Sequence, residues 1–518
     1  MLNKTNLQEL AKQIFSDSNP RGGREHIPPY MMRTVKRNSG FFFGIKRFHS
    51  HWLHEDNEYY ISKPSGEDGH VLIVGGIGSG KSSCIAIQTL ESWDGTFMTI
   101  DIKRELLEKA RHMQRPAKVF SFSENGEGNS HYDPMYLLRE GNPNDLVQNA
   151  REIAQSIIPI PPEEREKFWY ESARNILMAT LLYIYDLKET DEENGEIIEG
   201  DFNMAMSLIQ TRTIGELLAI LNKSKNKIVH NLINQFRDID NPEESGMLQG
   251  IGAELSRHVM VFATDNRINS AFTKSDNMIR WEDLETNNIF IEIPEDKLGQ
   301  WDGAIILMVT QLIRTLERRP DKNSAEGEAK KLPPVLILLD EFPRLGRIDA
   351  IQNAVSTLRS KGITICLVIQ SLSQLANAYG ENVSTIILDN CPYKAILNVA
   401  DPGNQRLISD MIGKAEIKKT TFNESHSTSH GTNYGIGETG RFSISANSSA
   451  SRTTGQSWTK MREPIIYPEE LSTLKDIILL HPEGFCRIDK LPYYEHHQLH
   501  HHKRNNVLNM SIQTKNRL

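Results

Sequence analysis

Short apolar runs alternate with segments of helical periodicity in two parts of the chain, residues 69–122 and 288–398. This alternation predicts a mostly parallel sheet with helices on both faces. In sheets of this kind, ligands bind at the carboxyl ends of the strands. We therefore expect one α/β domain whose functional residues follow its strands. The predicted strands are residues 70–74, 96–100, 118–122, 288–294, 335–339, 363–369, 394–398 and 483–488.

The stretch between the two parts has apolar residues at helical spacing and no strand-like alternation. We interpret residues 142–268 as an all-α domain inserted into the α/β domain, which is then formed by residues 63–141 and 269–495. An acidic loop, residues 189–201, interrupts the pattern and is expected to be exposed to solvent. The helices predicted here are residues 146–158, 168–185, 202–209, 214–221 and 246–264.

Residues 1–62 are irregular in pattern and are interpreted as an N-terminal arm. A short amphipathic helix is predicted at residues 6–15, and a basic stretch that contains Phe41, Phe42 and Phe43 follows it. One interpretation of this stretch is an ordered arm packed across the next domain. The other is a docking arm for an acidic lipid surface or a membrane partner.

Two later segments are predicted to lack fixed structure. Residues 424–458 are rich in Ser, Thr and Gly and have few large apolar side chains, which indicates a flexible loop or a disordered insert. The tail, residues 496–518, is rich in histidine near its start. A metal site there would need a fold to fix the geometry of its ligands, so we favour a solvated tail. The histidines are His496, His497, His500, His501 and His502.

Composition narrows the class of protein. The 518 residues carry a net charge of -8, which argues against a surface covered in basic residues for nucleic acid but leaves room for a local basic channel. The four cysteines are widely spaced, which favours buried thiols over a disulfide framework or a zinc site. No apolar run reaches the ~18 residues that span a bilayer, and the start of the chain does not resemble a signal peptide. We therefore expect a cytoplasmic protein without a transmembrane helix.

The most specific motif follows the predicted strand at residues 70–74. It reads G-x-x-x-x-G-K-[ST], a phosphate-binding loop in its required setting of strand, turn and helix. Its glycines let backbone N–H groups turn toward phosphate oxygens, and the helix adds its positive end. Lys81 is expected to reach the β- and γ-phosphates, and Ser82 to offer its hydroxyl to Mg²⁺. The predicted nucleotide-binding residues are Gly75, Gly76, Ile77, Gly78, Ser79, Gly80, Lys81, Ser82 and Ser83.

The most apolar predicted strand, residues 335–339, ends in Asp340 and Glu341, which is a Walker B pattern. Asp340 is placed to hold Mg²⁺ through a water, and Glu341 to polarise the attacking water. Gln370 ends the next strand and can lie beside the γ-phosphate, where it orients that water, unless it only satisfies loop backbone. We therefore predict an ATP- and Mg²⁺-dependent hydrolase with Lys81, Glu341 and Gln370 as catalytic residues.

Hydrolysis also benefits from a positive charge on the γ-phosphate oxygens at the transition state. Arg344, Arg347 and Arg359 all follow the Walker B strand, and each is either such a finger or a surface arginine. We prefer Arg359, which ends a predicted helix. In a ring it would reach the site of the neighbouring subunit.

Several stretches resemble the coupling ATPases of type IV secretion and conjugation, the VirD4/TraG/TraD type. The resemblance covers roughly residues 70–498 and includes more than the nucleotide motifs, which many proteins share. Residues 101–105 resemble the family's D-P-K-G-E but have Ile102 and Arg104 in place of Pro and Gly. The matching stretches are residues 338–346 (the extended Walker B), 370–375 with Tyr379 and Gly380, 388–391, Asp401 with Pro402, the Ser-rich insert, 467–471 and 492–494.

The resemblance implies a RecA-like P-loop NTPase that forms a hexamer, with ATP between subunits and a central channel for DNA. It implies recruitment of a relaxase–DNA complex or an effector protein to a membrane-spanning secretion channel, with the all-α domain recognising the substrate. Typical members begin with transmembrane helices, and none is predicted here. We therefore expect either that a separate membrane subunit recruits the chain to the cytoplasmic face of the bacterial inner membrane, or that the chain belongs to a soluble branch.

Two alternative functions stay open. In one, the all-α domain binds protein substrates or adaptors, and ATP sets assembly without powering transport. In the other, the chain is a HerA/FtsK-like DNA translocase that serves DNA processing or defence. The motifs after Walker B favour the coupling family over this second alternative.

Overall fold

Nine strands form a central sheet in the computed structural model. The structure describes residues 25–34, 39–50, 55–122, 130–161, 164–190, 197–237, 239, 241–436, 440 and 442–496. The strands of the described chain are β1 Met32–Thr34, β2 Phe41–Ser50, β3 Glu55–Lys63, β4 Val71–Gly75, β5 Thr96–Asp101, β6 Ala117–Ser121, β7 Lys188–Thr190, β8 Ile197–Glu199, β9 Asn288–Glu292, β10 Val335–Leu339, β11 Ile363–Ile369, β12 Tyr393–Asn398, β13 Lys414–Ile436, β14 Phe442–Pro464, β15 Ile477–His481 and β16 Gly484–Ile488.

A π-helical turn, Lys81–Ala86, precedes Ile87–Ser92, the first α-helix of the described chain. The α-helices are Ile87–Ser92, Glu105–Lys109, Tyr136–Glu140, Leu146–Ile157, Lys167–Asp186, Phe202–Thr211, Ile214–Leu221, Lys227–Ile233, Gly246–Thr264, Asn266–Ala271, Asp302–Glu317, Ala325–Lys330, Ala350–Thr357, Leu372–Tyr379, Glu381–Asn390 and Pro402–Ile412.

The central sheet has the order β16-β15-β12-β4-β11-β10-β5-β9-β6. The strands from β12 to β6 pair in parallel, and β15 and β16 add an antiparallel edge. Alternate residues of one strand enter two different cores. In β10, Ile337 packs in one and Leu338 in the other, and both are fully buried. Because both faces are covered, the apolar runs show no polar alternation. The predicted α/β fold is confirmed.

The region between β6 and β9 is helical, with helix bounds close to those predicted. The ends of Ile214–Leu221 and Gly246–Thr264 coincide with the prediction. The acidic loop differs, because β7 and β8 form a short antiparallel pair within it. Residues 191–196 lie outside the described residues.

The N-terminal region is less irregular than predicted. Its strands β1, β3 and β2 form a separate antiparallel sheet, and the rings of Phe41, Phe42 and Phe43 are fully buried. Aromatic runs favour strands, and burial of these rings anchors the sheet to the domain. The buried rings agree with the interpretation of an ordered arm packed against the next domain. The predicted helix at residues 6–15 lies outside the described residues.

Residues 424–458, predicted as a flexible loop or a disordered insert, lie in a hairpin of two long strands. Strands β13 and β14 pair antiparallel over their whole length, Lys414 opposite Pro464 and Ile436 opposite Phe442, without a register shift. The hairpin contains no proline before Pro464, so nothing interrupts the backbone ladder, and its threonines favour extended backbone. We call this hairpin the ribbon. Almost all of its described side chains are exposed, so the hydrophobic pattern gave no signal for it.

Two other predictions fall at the ends of the described chain. Of the histidine-rich tail only His496 is described. Within the described residues, no helix is both long and apolar enough to cross a membrane.

Candidate functional site

The phosphate-binding loop follows β4 at the carboxyl edge of the central sheet. Glycine is favoured at one position of the loop by close packing and at two positions by the backbone conformation. A Cβ at Gly75 would lie 2.4 Å from the Ser79 Oγ. Gly78 and Gly80 have φ angles of 71° and 99°, in the left-handed region that favours glycine. The loop therefore has the curled backbone that the motif predicts.

The Lys81 side chain is buried beneath this loop. Its Nζ donates hydrogen bonds to the backbone oxygens of Gly75 at 2.7 Å and Gly76 at 3.2 Å. Burial lowers the pKa of Lys81, and the negative charges of Glu341 and Asp340 oppose this shift. The ammonium therefore lies beside the loop backbone and within the electrostatic reach of the Walker B acids.

The predicted residues Glu341 and Gln370 are in direct contact. Strand β11 lies between β4 and β10, so Gln370, directly after β11, stands between the phosphate-binding loop and the acids after β10. Its Nε2 donates to the Glu341 Oε2 at 2.7 Å. The sheet thus brings Lys81, Glu341 and Gln370 to one edge.

The two acids after β10 differ in environment. The Glu341 N–H donates to the Asp340 Oδ1 at 3.0 Å. Burial, together with the neighbouring charge of Glu341, raises the pKa of Asp340 to about 6. Glu341 is buried and has a φ angle of 49°. Two acids in a poorly solvated site with one nearby lysine create a local excess of negative charge, which suits a bound cation.

The residues predicted for magnesium are suited to it. Ser82, in the first turn after the loop, and Asp340 are both partly exposed and offer oxygen ligands. Mg²⁺ in phosphate sites takes few protein ligands and keeps waters and phosphate oxygens. The described residues contain no cluster of three or more His, Cys, Asp or Glu that could hold a metal ion.

Two further acids lie at this edge: Asp101, which begins the stretch that resembles the family's D-P-K-G-E, and Glu292, which was not predicted. Asp101, which ends β5, accepts a hydrogen bond from the Leu107 N–H at 2.9 Å and holds the loop after β5. Glu292, at the end of β9, lies 3.5 Å from the Nε of Arg104. Arg104 has a φ angle of 55°, at the position where the family pattern has glycine. Glu292 ends an apolar strand, and this was the only sequence signal available for it.

The three candidate arginines lie in different places. Arg344 follows Glu341 at the carboxyl edge and donates to Glu295 at 2.7 Å. Arg347 donates to Asp349 at 2.7 Å. Arg359 is exposed and precedes β11, a strand of seven residues, so about 20 Å separate it from the nucleotide edge of its own chain. The structure therefore does not bring Arg359 together with the other predicted residues of the same chain.

A separate cleft of about 970 Å³ lies near the β7–β8 pair. Its charged side chains pair with one another: Lys274 with Glu199 at 2.9 Å, and Arg280 with Glu140 at 2.6 Å. None of the residues predicted for nucleotide binding lines this cleft. It is not the phosphate site.

The fold and the carboxyl edge of the sheet define a RecA-like P-loop NTPase. Within this class, the chain belongs to the family described as Type IV secretory system Conjugative DNA transfer, whose sequence model matches residues 32–516. The resemblance inferred from the motifs is confirmed.

Curated relatives agree with this family. The chain is 24% identical to a conjugal transfer protein TraG of Escherichia coli over 433 residues, which cover 81% of this chain and 63% of the relative. It is 23% identical to the VirD4 protein of Rhizobium rhizogenes, with 84% of this chain and 60% of the relative covered. The chain therefore spans about three fifths of the length of these relatives.

Solved structures share the fold. The conjugative coupling protein TrwBΔN70 superposes with a TM-score of 0.58 at 15% identity, over 82% of this chain and 84% of that one. TrwB in complex with ADP and Mg²⁺ gives a TM-score of 0.56 at 14% identity, over 83% and 87% of the two chains.

Proposed function

We propose that the chain is an ATPase that hydrolyses Mg²⁺-bound ATP at residues 75–83 and acts as a coupling protein. In this role it brings DNA or a relaxase–DNA complex to a type IV secretion channel. The contact between Gln370 and Glu341, at the same edge as Lys81, is the observation that carries the proposal. Family membership supplies the transport context.

The phosphate-binding loop supplies most of the binding. Its backbone N–H groups and the helix start after Gly80 create a positive site for phosphate oxygens. The Lys81 ammonium adds a full charge. Its present partners are the carbonyls of Gly75 and Gly76, neutral acceptors that a phosphate oxygen can replace with a stronger, charge-assisted bond.

Glu341 and Gln370 are the proposed water-positioning pair. The Glu341 carboxylate accepts a proton from the attacking water. Gln370 limits the rotation of this carboxylate through its 2.7 Å hydrogen bond. The left-handed backbone of Glu341 fixes the direction in which its side chain leaves the main chain. When Mg²⁺ is bound, it neutralises charge on the phosphates, and Ser82 and Asp340 would hold it.

The active assembly is proposed to be a homo-hexamer with DNA in a central channel, bound without sequence preference. Relaxase or effector proteins and membrane subunits of the secretion system are its proposed partners. The helices of residues 142–268 are the proposed substrate-recognition domain. A membrane subunit would place the chain at the cytoplasmic face of the inner membrane.

A Glu341→Gln variant tests the catalytic part of this proposal. The amide keeps the size and the hydrogen bond to Gln370 but cannot act as a base. We expect hydrolysis to fall by about 100-fold or more while ATP binding persists. Steady-state phosphate release with and without single-stranded DNA measures hydrolysis. Titration with a fluorescent ATP analogue measures ATP binding.

The matched control is Glu326→Gln, an exposed acid in the helix Ala325–Lys330. It should leave both measurements unchanged. A Glu341→Gln rate equal to that of the parent chain would rule out Glu341 as the base. A parent rate that no nucleic acid alters would contradict DNA transport and favour a recruitment module.

A further inference from the structure

The ribbon of β13 and β14 has two chemically distinct faces. Successive residues of a strand point to opposite faces, and the register is continuous, so each face can be read along both strands. One face carries most of the charged and aromatic residues. The other is built mainly from small polar residues, which are Ser425, Ser427, Ser429, Asn433, Ser445, Asn447, Ser449, Ser451 and Thr453.

The charged face is net positive. Among its described apolar side chains, Trp458, Tyr434 and Ile444 are exposed, and Trp458 is 64% exposed. Its charges concentrate toward the end of the ribbon that joins the domain. The cations of this face are Lys414, Lys418, Arg452, Lys460 and Arg462, and its anions are Glu416 and Glu424.

Three of these cations share one acid. Lys418 lies directly opposite Lys460, a like-charge pair that costs stability unless an anion lies nearby. Lys460 contacts Glu416 at 2.6 Å, and Lys460, Arg462 and Lys418 together lower the pKa of Glu416. One carboxylate cannot neutralise three cations. A surplus of positive charge therefore remains on this part of the face.

The exposed indole ring of Trp458 lies beside these cations on the same face. Trp458 is two residues from Lys460 on the same strand and face, about 7 Å away, and is diagonal to Lys418. A base can stack on an exposed indole while the lysines contact the flanking phosphates, but only if the base is not stacked inside a duplex. The chemistry fits a polyanion with accessible aromatic bases.

We propose that Lys418, Trp458, Lys460 and Arg462, which we call the ribbon patch, bind single-stranded polynucleotide. This inference rests on the proposed function, since it names a surface of the chain that would contact the DNA. The ribbon begins after the helix Pro402–Ile412, which follows β12, a neighbour of the phosphate-binding strand β4. The patch thus lies close in the chain to the nucleotide edge of the sheet.

The test compares variants of the full-length chain in binding a fluorescently labelled oligodeoxythymidylate at several salt concentrations. Trp458→Ala should weaken binding by about 5- to 150-fold, as expected for one stacked base. Lys418→Gln combined with Lys460→Gln should reduce the slope of log affinity against log salt by about 1.4. Quenching of protein fluorescence by the oligonucleotide should also be smaller in Trp458→Ala.

Lys419→Gln is the matched control, because Lys419 is equally exposed but lies on the opposite face. It should keep the affinity and slope of the parent chain. Affinities that do not change in the patch variants would overturn the proposal and leave DNA binding elsewhere, with DNA-stimulated hydrolysis still intact. A parent chain that neither binds the oligonucleotide nor responds to it in hydrolysis would overturn the proposed DNA function as well.

One alternative is that the ribbon forms an interface between copies of this chain. Oligomeric mass, measured on the same samples by light scattering, tests it. A patch variant that loses oligomer mass while retaining its affinity for the oligonucleotide would make the ribbon an interface between copies of this chain. That result would also overturn the proposal. Because the patch side chains are exposed, their replacement should leave the melting temperature within about 2 °C of the parent value.

Discussion

Glu341 combines a strained backbone conformation with a side-chain hydrogen bond at the nucleotide edge of the sheet. A left-handed backbone costs a non-glycine residue about 1–2 kcal/mol. The conformation is held by the Arg344 N–H, which donates to the Glu341 carbonyl at 2.8 Å, and by the side-chain contact with Gln370. Strain of this kind is common at functional sites, where the surrounding structure fixes an unfavourable conformation.

Sequence motifs identified Lys81, Asp340 and Glu341 because their spacing is local. Glu292 could not be found in this way. It reaches the edge only because β9 pairs with β5, which lies nearly two hundred residues earlier in the chain. Similarly, no motif predicts that the Lys81 ammonium is held by the carbonyls of Gly75 and Gly76.

Removal of the Gln370 amide should affect hydrolysis more than binding. In Gln370→Ala the Glu341 carboxylate loses its 2.7 Å donor and is free to rotate. We expect phosphate release to fall by about 10- to 100-fold, since misplacement of a catalytic group by about 1 Å is costly. The affinity for ATP should stay within a factor of about 2, because the Gln370 amide donates to Glu341 while the loop backbone and Lys81 bind the phosphates.

The control for this prediction is Gln374→Ala, in which an exposed glutamine of the following helix Leu372–Tyr379 is shortened. Its rate should match that of the parent chain. If Gln370→Ala weakens ATP binding and leaves the turnover number intact, then Gln370 binds nucleotide instead of positioning water.

At the scale of elements, prediction succeeded where burial or capping leaves a local pattern. The helix Ile214–Leu221 begins after Thr213, whose hydroxyl accepts from the Glu216 N–H in a capping box. The strands of the central sheet were visible as continuous apolar runs. The ribbon and β1–β3 were missed, because their order comes from pairing with distant segments and not from local periodicity.

Lys63 links the N-terminal sheet to the central sheet and should make stability depend on pH. It ends β3, is fully buried, and donates to the Glu67 carbonyl at 2.6 Å and the Thr364 hydroxyl at 2.9 Å. Burial lowers its pKa to about 7. In the unfolded chain a lysine keeps its proton up to about pH 10.4. The unfolded state therefore binds more protons than the folded state between these two values, and this residue makes stability rise with pH in that window.

A Lys63→Met variant should flatten this dependence. The slope of unfolding free energy against pH should fall by at most about 1.4 kcal/mol per pH unit, the value for one proton. Apparent unfolding midpoints between pH 7 and pH 9 measure the effect. Lys330→Met, at an exposed lysine, should keep the parent slope. Parallel curves for Lys63→Met and the parent chain would show that Lys63 is charged throughout this range.

At the scale of the whole molecule, the sequence predicted the class and the family, and both are confirmed. What it could not give is the arrangement of copies, since contacts between subunits leave no local pattern. The structure makes the question specific. Arg359 lies about 20 Å from the nucleotide edge of its own chain, so a role at the γ-phosphate requires a neighbouring copy.

Mixing two inactive variants tests this requirement. Lys81→Ala lacks a working site but keeps Arg359, and Arg359→Ala keeps the site but lacks the finger. Each alone should hydrolyse ATP at least about 100-fold more slowly than the parent chain. In an equimolar mixture, part of the activity should return, because some interfaces combine an intact loop with an intact arginine. Phosphate release across mixing ratios measures this.

Arg344→Ala is the comparison for this experiment, because Arg344 lies at the nucleotide edge of its own chain. A defect of Arg344→Ala that mixing with Lys81→Ala does not rescue would assign the positive charge to Arg344 within one subunit. Full activity of Arg359→Ala alone would exclude Arg359 as the finger.

One backbone hydrogen bond has a mechanical consequence. The Gly76 N–H donates to the Asn398 carbonyl at 3.3 Å, and the chain runs from Asn398 through the helix Pro402–Ile412 to the root of the ribbon. With 23 residues in each strand, the ribbon is about 70 Å long. A lever of that length turns a rotation of roughly 5° at its root into a sweep of about 6 Å at its tip. Small movements of the loop that grips phosphate would thus be amplified far from the site of hydrolysis.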